Sequence, residues 1–61
     1  MKRIIRKQEL LKITGLSSAT LWRRERAGDF PRRLRLGPHA VGWLLEEIDE
    51  WMASRPRVEG D

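Results

Sequence analysis

Apolar residues fall in short clusters set apart by glycine and proline, and each cluster has its own period. Ile4–Ile5 has the length of a short edge strand. From Lys7 to Thr14, Leu10, Leu11 and Ile13 mark one side of a short amphipathic helix, and Gly15 suits the left-handed residue that ends it. Ser17, after Leu16, is a good N-cap for a second helix over Ser18–Ala27, since its side-chain oxygen accepts from an otherwise unpaired backbone N–H. Gly28 supplies another stop, and Phe30–Pro31 turns the chain away. Leu34, Arg35 and Leu36 alternate apolar and basic, the period of a half-buried strand. Gly37–Pro38–His39–Ala40 turns and Val41–Gly42–Trp43 returns, so Leu34–Trp43 predicts a hairpin with Leu34, Leu36, Val41 and Trp43 facing the core. A last helix over about Glu46–Ser54 places Leu44, Leu45, Ile48, Trp51 and Met52 on one stripe. Its carboxylates Glu46, Glu47, Asp49 and Glu50 crowd the N-terminal end, where the helix dipole favours negative charge. The expected fold is mostly α with a small β-hairpin.

Sixty-one residues allow one small domain. Its ordered core is expected over about 4–54, with Met1–Lys2 and Arg55–Asp61 as frayed ends. At this length a chain hides only about 60 % of its unfolded surface, so the core is compact and the stability marginal. With no Cys there is no disulfide, thiolate nucleophile or Cys-ligated zinc, and His39, the single His, makes no metal site alone. No apolar run exceeds three residues, which predicts no membrane span and no signal segment. Neither cofactor nor catalytic group is expected.

Charge adds direction. The net charge of +4 hides a split: residues 1–45 hold eleven basic against three acidic groups, and residues 46–61 hold two against six. The cations are dispersed among apolar residues, as on a folded basic face, and a polyanion is the natural partner. Scattered Arg also occurs as plain solvated charge.

Two helices joined by a short Gly-containing turn, the second capped by Ser, form the helix-turn-helix plan. On a wheel, Thr20, Leu21 and the stem of Arg24 point toward the first helix. Ser18, Ala19, Trp22 and Arg26 fall on the opposite side, flanked by Arg23, with Glu25 at the edge. Short side chains at the helix start, Ser17 included, let backbone approach phosphate, and Arg can fork onto guanine in a major groove. Trp22 has two readings, core residue or groove-facing ring. The hairpin then acts as a wing, with Arg32 at its entrance, Arg33 and Arg35 outward and His39 at its tip, as an exposed turn residue or a backbone contact.

Taken in order, Thr14–Gly15–Leu16–Ser17, Thr20–Leu21–Trp22–Arg23, Gly28–Asp29–Phe30–Pro31, Arg35–Leu36–Gly37–Pro38, Ala40–Val41–Gly42–Trp43 and Ile48–Asp49–Glu50–Trp51 resemble the AlpA family of small prophage regulators. That family resembles excisionases and carries a MerR-type winged helix-turn-helix. The resemblance covers about Ile5 to Arg55. It implies a cytoplasmic, nucleoid-associated regulator of double-stranded DNA that controls an integrase gene or acts in excision. Contact with an integrase or RNA polymerase is expected with it, and the small area one such module buries on DNA predicts dimers or cooperative rows. This chain departs where Arg24 and Glu25 replace apolar residues, which predicts looser packing of helix two. It departs again where Glu46 replaces a Ser cap and where Trp22 stands for Tyr.

A second class is a protein-interaction module, antitoxin-like or adaptor, docking a basic partner on the acidic last helix. An enzyme fits worst, since Ser17, His39 and Asp49 sit on separate elements. RNA recognition by stacking lacks an aromatic sheet.

Overall fold

The chain runs β1 (Ile4–Ile5), α1 (Lys7–Thr14), α2 (Ser18–Arg26), β2 (Leu34–Gly37), β3 (Ala40–Leu44) and α3 (Leu45–Ala53) in a computed structural model that describes residues 2–58. The strands form an antiparallel sheet of order β1–β3–β2. Three helices and this sheet are compatible with a small winged helix-turn-helix domain.

Local chemistry sets the helix ends. Gly15, at φ 74°, ends α1 by donating its N–H to Leu11 O at 2.9 Å. Leu16 and Ser17 complete a three-residue turn, and Ser17 Oγ accepts from the Thr20 N–H at 3.1 Å to cap α2. At the far end of α2, Gly28 N–H donates to Glu25 O and Asp29 N–H to Arg24 O, with Gly28 at φ 76°. This is a Schellman ending. Where that motif usually carries an apolar contact, Arg24 and Asp29 make an ion pair at 2.6 Å. α3 starts at Leu45 without a side-chain cap, and the Leu45 N–H donates instead to Arg3 O at 2.8 Å. Leu44, expected on the α3 stripe, is therefore the last residue of β3.

Ile5, Leu10, Leu21, Phe30, Trp43 and Ile48 form the core, so every element except β2 supplies one buried side chain. Phe30, expected only as a turn, supplies the sixth. It meets Trp51 edge to face at 4.7 Å, and Trp51 Nε1 donates to Asp29 O at 3.0 Å. Arg24 and Arg55 lie over the Trp51 ring at 5.5 and 4.4 Å. The stem of Arg24 thus serves α3, and helix two is fastened where looser packing was expected. Arg55, expected to fray, also reaches Asp29 at 3.4 Å. Met1 and residues 59–61 of the expected frayed ends lie outside the described residues.

The hairpin needs a correction. Leu34 pairs with Gly42 and Arg35 with Val41. Paired residues share a sheet face, so Leu34 lies on the side opposite Val41 and Trp43, and Arg35, expected on the outer side, lies on the side of Val41 with its charge exposed. Leu36, after which the register breaks, is 41 % exposed, and neither leucine joins the core. Alternation gave each strand its period, but the pairing register decides which parity turns inward.

Gly42 sits beneath this outer side. A Cβ there would fall 2.7 Å from Ile4 Cγ2 and 3.0 Å from both Ile5 O and Leu36 Cδ1. Gly42→Ala is therefore expected to destabilise the domain by about 1–3 kcal/mol through overpacking. A fall in the urea midpoint at unchanged m-value checks this, and an unchanged midpoint counts against so close a strand approach.

Candidate nucleic-acid interface

Leu21, fully buried, anchors α2 and so turns the opposite side of that helix outward. Ser18, Ala19, Trp22, Arg23 and Arg26 are all exposed there. Trp22 is 54 % exposed, which settles its placement outside the core. The Arg26 guanidinium lies 4.6 Å over the Trp22 ring centre. At the helix start, Thr20 Oγ1 accepts from Ser17 Oγ at 2.9 Å and from Arg23 at 3.2 Å. Ser17 is thereby committed to the first turn, and Arg23 is held near it. The N–H groups of Ser18 and Ala19 have no acceptor within the helix, which leaves a partial positive charge at this end.

Arg33 joins the hairpin's entrance to α2. It donates to both carboxylate oxygens of Glu25, at 3.1 and 2.5 Å, and its guanidinium lies over the Trp43 ring at 5.2 Å. The Glu25 hydrogen bond and charge hold Arg33 protonated above its ordinary range, against a smaller opposing effect of burial. This fork makes Arg33 a brace between helix and hairpin, while its side chain stays exposed on the outer surface as expected from sequence.

Two open clefts flank the Trp22 ring. One, of about 370 Å³, is lined by Trp22, Glu25, Arg26, Arg32 and Arg33. The other, of about 510 Å³, is lined by Lys7, Ser18, Ala19, Leu21, Trp22 and Arg33. Six of the expected residues, Ser18, Ala19, Trp22, Arg26, Arg32 and Arg33, thus meet around one ring. Arg35 and His39 do not line either cleft. Arg35 donates to Pro38 O at 3.4 Å and His39 is exposed at the hairpin tip. Lys7 was missed, because a cation at the start of α1 carries no sequence signal that it neighbours α2. Among the described residues no group of three or more His, Cys, Asp or Glu side chains is placed to hold a metal ion. No helix among the described residues is long and apolar enough to cross a membrane.

Residues 3–56 match the family described as Prophage CP4-57 regulatory protein (AlpA). The chain belongs to this family. It is similar to the DNA-binding transcriptional activator AlpA of Escherichia coli (strain K12), with 36 % identity over 62 aligned positions covering 92 % of this chain and 89 % of that protein. It is also similar to the uncharacterized protein ORF88 of Enterobacteria phage P4, with 39 % identity over 54 residues and 88 % of this chain. The chain spans 61 % of the length of that phage relative. In this AlpA-family chain one segment carries both the Ser-capped helix and the ring between two clefts.

Proposed function

We propose that this chain is a double-stranded DNA-binding transcription regulator of prophage type, docking as a MerR-like or excisionase-like winged helix. In this reading α2 enters a major groove while Arg32, Arg35 and His39 touch the backbone beside it. Ser18 and Ala19 let the helix start approach a phosphate, and Arg23 adds charge there. Arg33 acts by bracing the hairpin. The observation that carries the reading is the outward side of α2, where a stacked Trp22–Arg26 pair stands exposed between cation-lined clefts. The name of the Escherichia coli relative supports the same reading.

The finer parts of the proposal are control of an integrase gene or of excision, and a cytoplasmic, nucleoid-bound location. One such module buries only about 600–1,000 Å² of protein surface. Discrimination then calls for cooperative rows on repeated sites. Contact with an integrase or RNA polymerase would fall on the exposed carboxylates of α3. Those carboxylates also have a local role, since Glu46 and Glu47 occupy the first turn of a helix that lacks a side-chain cap.

Selection of bound duplexes from a random pool tests the reading. Arg26→Ala is expected to relax base preference at one position, at a cost of about 1–3 kcal/mol in binding. Uniform weakening across all sequences would make Arg26 a phosphate contact, and a pool without enrichment removes DNA as the ligand.

A further inference from the structure

We infer that Trp22 and Arg26 read DNA as one unit, the ring selecting a thymine by its 5-methyl group and the guanidinium a guanine on the adjoining base pair. The inference rests on the DNA-binding reading above and assigns the base step to which this surface is matched.

Trp22 is the largest side chain on the outward side of α2, and more than half of it stands open to solvent. Arg26 lies over the ring, 4.6 Å from its centre. A guanidinium stacked in this way keeps its donors in its own plane, so it can still fork onto the O6 and N7 acceptors of guanine. The ring limits its swing and holds it ready for that contact. Glu25, the nearest carboxylate along α2, has both oxygens engaged by Arg33. Arg26 consequently has no carboxylate partner among the described residues.

The remaining surface of Trp22 is apolar, and the clefts beside it leave it open. In a major groove the one apolar group that a base pair offers is the thymine methyl. An indole has an N–H donor and no acceptor, so on a groove floor rich in acceptors it distinguishes bases chiefly by that methyl. Spacing decides between neighbouring and more distant pairs. The 4.6 Å between guanidinium and ring lies nearer to one base-pair rise, about 3.4 Å, than to two. A thymine flanked by guanine is the step that fits.

Two random duplex pools separate the possibilities, one synthesised with thymidine and one with deoxyuridine in its place, each offered to the full chain. Enrichment of a thymine–guanine step is expected from the first pool. Replacing that thymine by deoxyuridine in the best-bound duplex is expected to weaken binding about fourfold, the weight of one buried carbon. Trp22→Ala, at an exposed position where helix content by circular dichroism should hold, is expected to bind both duplexes equally. Equal binding of the two duplexes by the unaltered chain overturns the methyl assignment and leaves DNA binding standing. Failure to enrich either pool overturns both and makes the exposed ring a protein contact instead.

Discussion

Trp43→Ala is expected to remove half or more of the stability of the domain at 25 °C and to lower its urea midpoint accordingly. Trp43 is fully buried in the central strand, and the Arg33 guanidinium lies over its ring. Truncating a buried Trp to Ala removes about 3–5 kcal/mol, part lost burial and part cavity. Domains carry about 0.05–0.15 kcal/mol per residue, so a chain of 61 residues holds roughly 3–9 kcal/mol in total. The loss falls on a small core, six buried side chains among the described residues with partly buried apolar neighbours around them. Trp43→Phe gives the comparison. The buried Trp43 indole N–H has no hydrogen-bond partner among the described residues, so phenylalanine gives up no bond there. That variant should fold and lose roughly 1–2 kcal/mol, an amount within the spread of volume-changing core swaps. Far-UV circular dichroism through a urea titration reads both. A Trp43→Ala chain that unfolds cooperatively near the unaltered midpoint would show that the centre of the core lies elsewhere.

The second large effect concerns the ligand. Raising monovalent salt from 50 to 200 mM is expected to weaken duplex binding about 10²–10³-fold. Arg23, Arg32, Arg35 and Lys7, which lines the second cleft, give with the start of α2 four to six phosphate contacts, while Arg26 is kept for the base edge. Each phosphate neutralised releases counterions, for a slope of log K on log salt of roughly −4 to −5. Arg33 is left out of that count because Glu25 already neutralises it. Removing the pair together, Arg33→Ala with Glu25→Ala, leaves the local charge unchanged and should leave the slope nearly unchanged, whereas Arg32→Ala and Arg35→Ala should each reduce it by about one. Fluorescence anisotropy on a labelled duplex over a salt series measures these slopes. A slope near zero would remove DNA as the partner, and a drop of about one in the Arg33–Glu25 double variant would make Arg33 a phosphate contact as well as a brace.

Local rules made most of the fold legible in advance. Gly15, Ser17 and Gly28 act within a few residues of themselves, so α1 ends and α2 begins where the sequence places them, and α2 differs only in its last residue. The outward side of α2 was legible for the same reason, because one buried leucine at helical period fixes the rest of the wheel. What escaped depends on partners distant in the chain. The inward side of β2 is set by pairing with β3, which is why Leu34 and Leu36 were misplaced. Phe30 gained its burial from Trp51, and Arg33 lost its freedom to Glu25. Neither pairing follows from a repeat or period. Trp22 stayed ambiguous on sequence because a ring at helical spacing serves an interior and a groove equally well.

The two ends of the α2 surface are fastened to different neighbours. Glu25 holds the approach to β2 through Arg33, and Asp29 gathers Arg24, Trp51 and Arg55 on the α3 side. A reading head secured at both flanks keeps a fixed span between probe and wing. On the proposed function, misfit at a site must then be absorbed by the double helix, which bends most cheaply at pyrimidine–purine steps. Preference would extend to base pairs that no side chain reaches, chosen for their pliancy.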